Sequence, residues 1–177
     1  STVAGGAVSE TNPQPTKGVG FKTTVTVTRP ANVTPYTAGD AIGDTGGSAI
    51  LTFANMGLAA GHILLTSLLL EIDVAAIPAG MAAFRLHLYD AQPDAIADNA
   101  AWNLSSAGDR GKYIGYVHIA TPVDLGSTLI AIEERINLHK KLAAASTTIY
   151  GILQTLGGFT PAANSEVYKL TLRSAAL

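Results

Sequence analysis

The stretch AAFRLHLYDA, residues 82–91, sets the fold class that this sequence predicts. Its apolar positions alternate with polar or amphipathic ones: Phe84, Leu86 and Leu88 against Arg85, His87 and Tyr89. A period of two is typical of a strand with one face in a core and the other face in water. A long connection rich in turn-forming residues follows, and then KYIGYVHIA, residues 112–120, which predicts a second strand.

Six further segments carry strand patterns: residues 21–28, 48–54, 61–74, 128–142, 146–155 and 166–174. Segment 61–74 is apolar on both faces at first, which predicts either a central strand or a strand that bends around Thr66 and Ser67. Segment 128–142 could be a strand or a helix. The strand is favoured because five of the seven even positions from Ile130 to Leu142 are apolar, while the odd positions from Glu133 onwards are polar.

The connection between residues 92 and 111 combines three expectations. Pro93 and Asp94 can start a single helical turn over residues 95–101, with the lone Trp102 packed beneath it. Residues 108–111, Gly-Asp-Arg-Gly, have the composition of a tight turn. The connection therefore predicts a shaped surface loop.

Eight strands without a regular helix predict an all-β fold, an antiparallel sandwich or barrel. Connections of this length fit a jelly-roll-like arrangement better than a meander of tight hairpins. We expect one such domain at residues 21–177. Residues 1–20 lack periodicity and predict an extended N-terminal arm that lies on its own domain or, as we favour, on a neighbouring molecule.

Composition narrows the classes of function. The formal charge is -2 and charged residues make up 14% of the chain, which argues against a nucleic-acid or anionic-membrane partner. Low charge is also typical of a surface that packs against other molecules, although a small β-domain would look the same. There is no cysteine, and the longest apolar run, residues 63–70, is too short to span a bilayer. Residues 1–10 have no basic start and no apolar core, so they do not resemble a signal peptide.

Residues that could carry chemistry form no recognisable constellation. The four histidines include no pair one residue apart, and Glu133 and Glu134 should point to opposite faces of a strand. Glu71 and Asp73 share a face, a weak indication of a cation site. The aromatic residues are dispersed along the sequence. We therefore predict no enzyme, no metal site and no cofactor.

Several stretches resemble a known group of proteins: VTVTRPANVTPYTAGDAIGD, FRLHLYDAQPDAIADNAAWNLSSAGDRGKYIGYV, PVDLGST and GGFTPAANSEVYKLTL. They resemble small virion structural proteins of tailed bacteriophages, either head decoration (cement) proteins or other accessory capsid proteins. The resemblance covers about Thr23–Leu172, and its motifs are turns and strand ends. It implies a fold and a mechanical role, with no catalytic residues.

The resemblance implies a capsid-stabilising protein on the outer surface of the virion, synthesised in the host cytoplasm. It would be a homo-oligomer, with a trimer favoured, bound to the major capsid protein, with no nucleic acid, membrane or small-molecule substrate. The expected partner contacts are the apolar and proline residues of the arm and the loop tryptophan: Val3, Val8, Pro13, Pro15, Val19, Phe21 and Trp102. The alternatives are a receptor- or carbohydrate-binding module of a phage tail or fibre, and an enzyme on the same scaffold.

Overall fold

The computed structural model describes residues 19–177, and these contain nine β-strands. The strands are β1 (Gly20–Thr28), β2 (Ile50–Phe53), β3 (His62–Ile72), β4 (Phe84–Tyr89), β5 (Tyr113–Ile119), β6 (Val123–Asp124), β7 (Leu129–Lys141), β8 (Ile149–Thr155) and β9 (Val167–Ala176). Eight of them coincide with the eight predicted segments. The ninth, β6, is a two-residue strand that pairs with the start of β7.

The strands form two antiparallel sheets. One has the order β1-β9-β3-β7-β6 and the other the order β2-β8-β4-β5. Apart from the β4–β5 hairpin and the β6–β7 connection, each link in the chain crosses from one sheet to the other. Eight strands divided in this way between two four-stranded layers, with β6 added at one edge, form a jelly roll. The predicted all-β, jelly-roll-like sandwich is confirmed.

The main core lies between the two sheets and is continuous from end to end. Strand β3 contributes to it along its whole length because it changes face in the middle. Ile63 and Leu65 are buried before the change, and Leu68 and Leu70 are buried after it. The pairing register shifts between Leu65 and Ser67, which is the effect of a β-bulge. Strand β3 thus lies in the middle of its sheet, between β9 and β7, and its register shift falls where the alternative of a bend was placed.

Strand β7 has the predicted strand conformation, but the predicted inward face is wrong in its first half. Leu129 and Ala131 face the core, whereas Ile132 is 58% exposed. The inward face moves to the even positions only after an irregular segment in which Arg135 and Asn137 have positive φ values of 63° and 52°. A strand with such a bulge does not keep one alternation throughout.

The single helical turn predicted for residues 95–101 is wrong. In a helix these carbonyl groups would accept hydrogen bonds from N–H groups of the same helix. Here they accept hydrogen bonds from N–H groups of another loop. The Ile96 carbonyl accepts a hydrogen bond from the Ala49 N–H at 2.9 Å, and the Ala100 carbonyl accepts one from the Ala41 N–H at 2.8 Å. Only a short turn forms, near residue 98. The turn predicted at residues 108–111 is present.

Candidate interaction surfaces

The second face of β4 is covered, which corrects the expectation that it faces water. His87 is 2% exposed and Tyr89 is fully buried. The long connection after β4 folds back over this face and builds a small second core that includes Ile152 and Trp102. Alternation identifies the two faces of a strand, but it does not say whether a distant part of the chain returns to cover the second one.

Trp102 packs directly on β4. Its ring is stacked on that of His87, with ring centroids 3.6 Å apart and planes inclined by 11°. Its indole N–H donates a hydrogen bond to the hydroxyl of Tyr89, at 3.1 Å. Trp102 is half-buried, so it joins the loop to the sheet and leaves part of its ring accessible. Its expected role as a partner contact remains a prediction.

Hydrogen bonds fix the protonation of His87. Gln154 donates from Nε2 to the Gly39 carbonyl at 3.1 Å, so its Oε1 is the atom that lies 3.0 Å from His87 Nε2. His87 Nε2 therefore carries the proton, and Nδ1 accepts from the hydroxyl of Tyr113 at 3.0 Å. Both ring nitrogens therefore have a hydrogen-bond partner in the neutral imidazole.

Burial shifts the pKa values of this cluster in the directions expected for a dry site. Desolvation lowers the pKa of His87, and the hydrogen bond to Gln154 opposes that shift in part. Desolvation also raises the pKa of Tyr89 to about 12. It raises the pKa of Tyr113 as well. All three groups are therefore uncharged at neutral pH.

The prediction that the aromatic residues are dispersed is wrong for this part of the chain. Pairing of β4 with β5 sets His87 opposite Tyr116, and Tyr89 and Tyr113 meet with ring centroids 5.4 Å apart. Tyr116 is 53% exposed, and the guanidinium of Arg85 lies 4.9 Å from its ring centroid. The pairing register of β4 and β5 brings these rings together. The spacing of the residues along the sequence does not reveal that register.

A second surface is apolar. A groove of about 300 Å³ lies where β6 meets β7 at the edge of the five-stranded sheet. Val123 is 62% exposed there, Leu125 is 64% exposed, and Ile132 and Ile130 complete the apolar wall. Contiguous apolar surface of this kind typically marks a contact with another molecule. We call it the β6–β7 groove. The sequence analysis missed it because it assigned Ile130 and Ile132 to the core.

The third feature is a pair of histidines on the outer face of the same sheet. His62 Nδ1 and His139 Nε2 are 2.9 Å apart, and their rings are stacked with centroids separated by 5.0 Å. Both residues are exposed. The search for histidines close in sequence could not find this pair, because the two residues lie on different strands.

The acidic residues considered from the sequence have ordinary partners. Asp73 forms an ion pair with Lys169 at 3.3 Å, and Glu71 lies opposite that lysine in the strand register. Glu133 is half-buried, and its carboxylate accepts a hydrogen bond from the Ala120 N–H at 2.8 Å. In residues 19–177, no three histidine or acidic side chains converge as a metal-binding group.

The predicted partner contacts divide into two sets. Val3, Val8, Pro13 and Pro15 lie outside the described residues. Of the others, Val19 is 53% exposed and Phe21 is half-buried in β1, opposite Ser174. Strand β1 begins at Gly20, and the division into an arm and a domain remains a prediction.

Comparisons with known proteins give a likeness to solved structures only. No protein-family model and no curated protein matches the sequence. One similar structure is the capsid asymmetric unit of cyanophage Pam1, with 15% identity, a TM-score of 0.38, and coverage of 99% of this chain and 97% of that one. Another is the empty head of turnip yellow mosaic virus, with 14% identity, a TM-score of 0.29, and coverage of 99% and 88%.

These scores do not decide a function, and the class of fold follows from the strand order itself. The described chain is a jelly-roll sandwich, an architecture shared by viral capsid proteins, lectin domains and cupins. The same architecture supports unrelated functions. Residues 19–177 contain no helix that could span a membrane.

Proposed function

We propose that this chain is a virion structural protein, a decoration protein that binds the outside of an assembled phage head and stabilises it. The β6–β7 groove is the observation that carries this proposal, because it offers an exposed apolar surface on a rigid sheet edge. The sequence resemblance to phage accessory capsid proteins and the 14% content of charged residues also support it.

The mechanism is mass action. A protein that binds the assembled shell more tightly than it binds free subunits shifts the equilibrium towards the shell. Apolar burial contributes roughly 25 cal/mol per Å², so each copy needs only a modest contact when many copies act together. The partner in this proposal is the major capsid protein, and the decorating unit is a homo-oligomer, with a trimer favoured.

The N-terminal arm has a separate part in the proposal. We assign residues 1–20 to contacts with a neighbouring molecule, anchored by apolar residues such as Val3 and Val8. Deletion of residues 1–18 leaves β1 whole, so the truncated chain should fold and bind shells more weakly. Unchanged shell binding by the folded truncated chain would refute this role for the arm.

Co-sedimentation with undecorated shells of the encoding virus tests the proposal. The wild-type chain should bind in a fixed ratio and raise the temperature at which the shells break open. Ile132→Lys should weaken binding about tenfold or more, since burying an isoleucine contributes about 1.5–3 kcal/mol. Thr26→Lys is the matched control, because Thr26 is exposed on the opposite edge strand of the same sheet. Equal binding by both variants would refute the role of the groove.

A receptor- or carbohydrate-binding role is the second candidate, and one observation favours it. Tyr116 is exposed beside Arg85. Its ring and that of the half-buried Trp102 both lie near His87, with centroids 6.0 Å and 3.6 Å from the His87 ring. Aromatic rings with a nearby polar group are suited to amphipathic ligands. Binding to host-surface glycans that is lost in Tyr116→Ala, together with no binding to shells, would favour this role over the decoration role.

A further inference from the structure

The two exposed histidines lie on neighbouring strands of the five-stranded sheet. His62 begins β3, and His139 is close to the end of β7. The register pairs His62 with Lys141 and Leu64 with His139, so the histidines are diagonal neighbours on one face. Their nearest ring nitrogens, Nδ1 of His62 and Nε2 of His139, are 2.9 Å apart.

We propose that His62 and His139 form a two-ligand site for a divalent transition-metal ion, Cu(II) before Ni(II). This inference does not depend on the proposed shell binding. It follows from the separation of the two nitrogens and from the accessibility of both rings.

The separation of the two nitrogens is similar to the one that a shared metal ion requires. Bonds from a metal to imidazole nitrogen are about 2.0–2.1 Å long. Two such nitrogens at a right angle lie roughly 2.9 Å apart, whereas a tetrahedral angle requires roughly 3.4 Å. The observed 2.9 Å is the length of the hydrogen bond between the rings. It leaves the two nitrogens close enough for a small turn of the exposed rings to bring both within bonding distance of one ion. The general order of affinity among divalent metals then puts Cu(II) ahead of Ni(II).

Metal binding replaces the hydrogen bond between the rings. A neutral imidazole has one N–H, and one of the two facing nitrogens currently donates to the other. When the metal binds, the donating ring moves its proton to its other nitrogen, so both facing nitrogens supply lone pairs. No electron is transferred, and both rings can turn towards a shared ion because they are exposed.

The surroundings set the strength of the site. Lys141, opposite His62, is exposed and can turn its charge away into water. In the described part of the chain the protein supplies two ligands, and water completes the coordination. Binding is therefore expected to be modest in strength. It should also weaken as the solution is acidified, because protons compete with the metal for imidazole nitrogen.

The other two histidines provide the comparison. His87 is buried with both ring nitrogens engaged, so it is not available to a metal. His118 is exposed on β5, on the other sheet. His118→Gln is therefore the matched control, because it removes an accessible imidazole that has no second histidine beside it.

Calorimetric titration of the untagged full chain with CuCl₂ tests the proposal, together with nitrogen hyperfine structure in the electron paramagnetic resonance spectrum. Wild type and His118→Gln should bind equally, with two imidazole nitrogens on the copper. His62→Gln and His139→Gln should each weaken this binding, by no less than the roughly 10–100-fold lost when supporting residues of metal ligands are removed.

Metal sites elsewhere on the chain are common to wild type, His62→Gln and His139→Gln and cancel in this comparison, and His118→Gln measures any contribution from His118. A second readout is thermal unfolding: Cu(II) should raise the Tm of wild type and His118→Gln, because it links β3 to β7, and have less effect on the two pair variants. Two results would overturn the proposal: binding by His62→Gln and His139→Gln at wild-type strength, or an equal loss in His118→Gln.

Discussion

Acidification should destabilise the protein through His87. This residue is neutral in the folded state, where Gln154 and Tyr113 use both of its nitrogens, and burial lowers its pKa. An unfolded chain returns it to the ordinary histidine value of about 6.5. Above that pH, the imidazole is neutral in both states and its contribution to stability is constant.

Below pH ~6.5 the unfolded chain takes up a proton that the folded chain excludes. Stability therefore falls with pH, by at most about 1.4 kcal/mol for each pH unit, until the folded pKa is reached. At pH ~5.5 the loss approaches about 1.4 kcal/mol if the folded imidazole is still neutral. A loss of this size is large compared with the roughly 5–15 kcal/mol that stabilises a typical domain.

Urea unfolding between pH 7.5 and 5.5, in steps of about 0.5, measures this loss. The protein has one tryptophan, and it is stacked on His87, so its fluorescence reports on the site directly. Circular dichroism should give the same midpoints. His87→Gln should lower stability at every pH and remove most of the slope, whereas His118→Gln should keep the slope. A wild-type stability that does not change over this range, or an unchanged slope in His87→Gln, would refute the reasoning.

Three other substitutions should each reduce the free energy of unfolding measured in urea. Trp102→Ala should cost about 2–3 kcal/mol, below the roughly 3–5 kcal/mol for a fully buried ring, because Trp102 is half-buried. Gly80→Ala should cost about 1–3 kcal/mol or more, since Gly80 has φ of 86° and a Cβ there would lie 2.2 Å from the Gly158 carbonyl oxygen. Asp98→Ala should cost about 3–5 kcal/mol, because it leaves the buried Arg29 guanidinium, 3.8 Å away, without its counter-charge.

Controls separate these effects from general intolerance to substitution. Gly111→Ala should change stability little, because a Cβ there meets no atom within 4 Å and its φ is not positive. Thr26→Ala, at an exposed position, should also be nearly neutral. Losses in Trp102→Ala, Gly80→Ala or Asp98→Ala no larger than in these controls would contradict the packing described for that position.

The strands could be predicted because their signals are local. In β4 the alternation of Phe84, Leu86 and Leu88 with polar residues is enough to locate a strand. In β3 the apolar residues on both faces indicated either a central strand or a strand that bends near Thr66 and Ser67, and the register shift lies at that point. The assembly of eight such strands into a jelly-roll-like sandwich followed from their number and from the length of their connections.

Two other properties depend on residues that are distant in the sequence: which face of a strand points towards the core, and whether its other face is covered. Ile132 points outward because of an irregular segment around Arg135 and Asn137, whose positive φ values no strand pattern predicts. His87 is buried because a loop of about twenty residues folds back over it, and such closure depends on the whole chain. The predicted water-facing side of β4 was wrong for this reason.

The candidate surfaces depend on register, which spacing along the chain does not give. His62 and His139 are 77 residues apart and meet only because β3 pairs with β7 in one particular alignment. The same holds for Tyr116 and His87 across the β4–β5 hairpin. The β6–β7 groove depends on β6, which is too short to leave a pattern in the sequence.

Electron cryo-microscopy of undecorated shells mixed with this chain tests the decoration proposal most directly. The proposal predicts added density at a fixed set of sites on the outer surface, with the jelly roll placed so that Val123, Leu125 and Ile132 of the β6–β7 groove contact the shell. Shells without added density at saturating protein would contradict it. Binding through the Tyr116 surface, with the groove facing solvent, would contradict the role assigned to the groove.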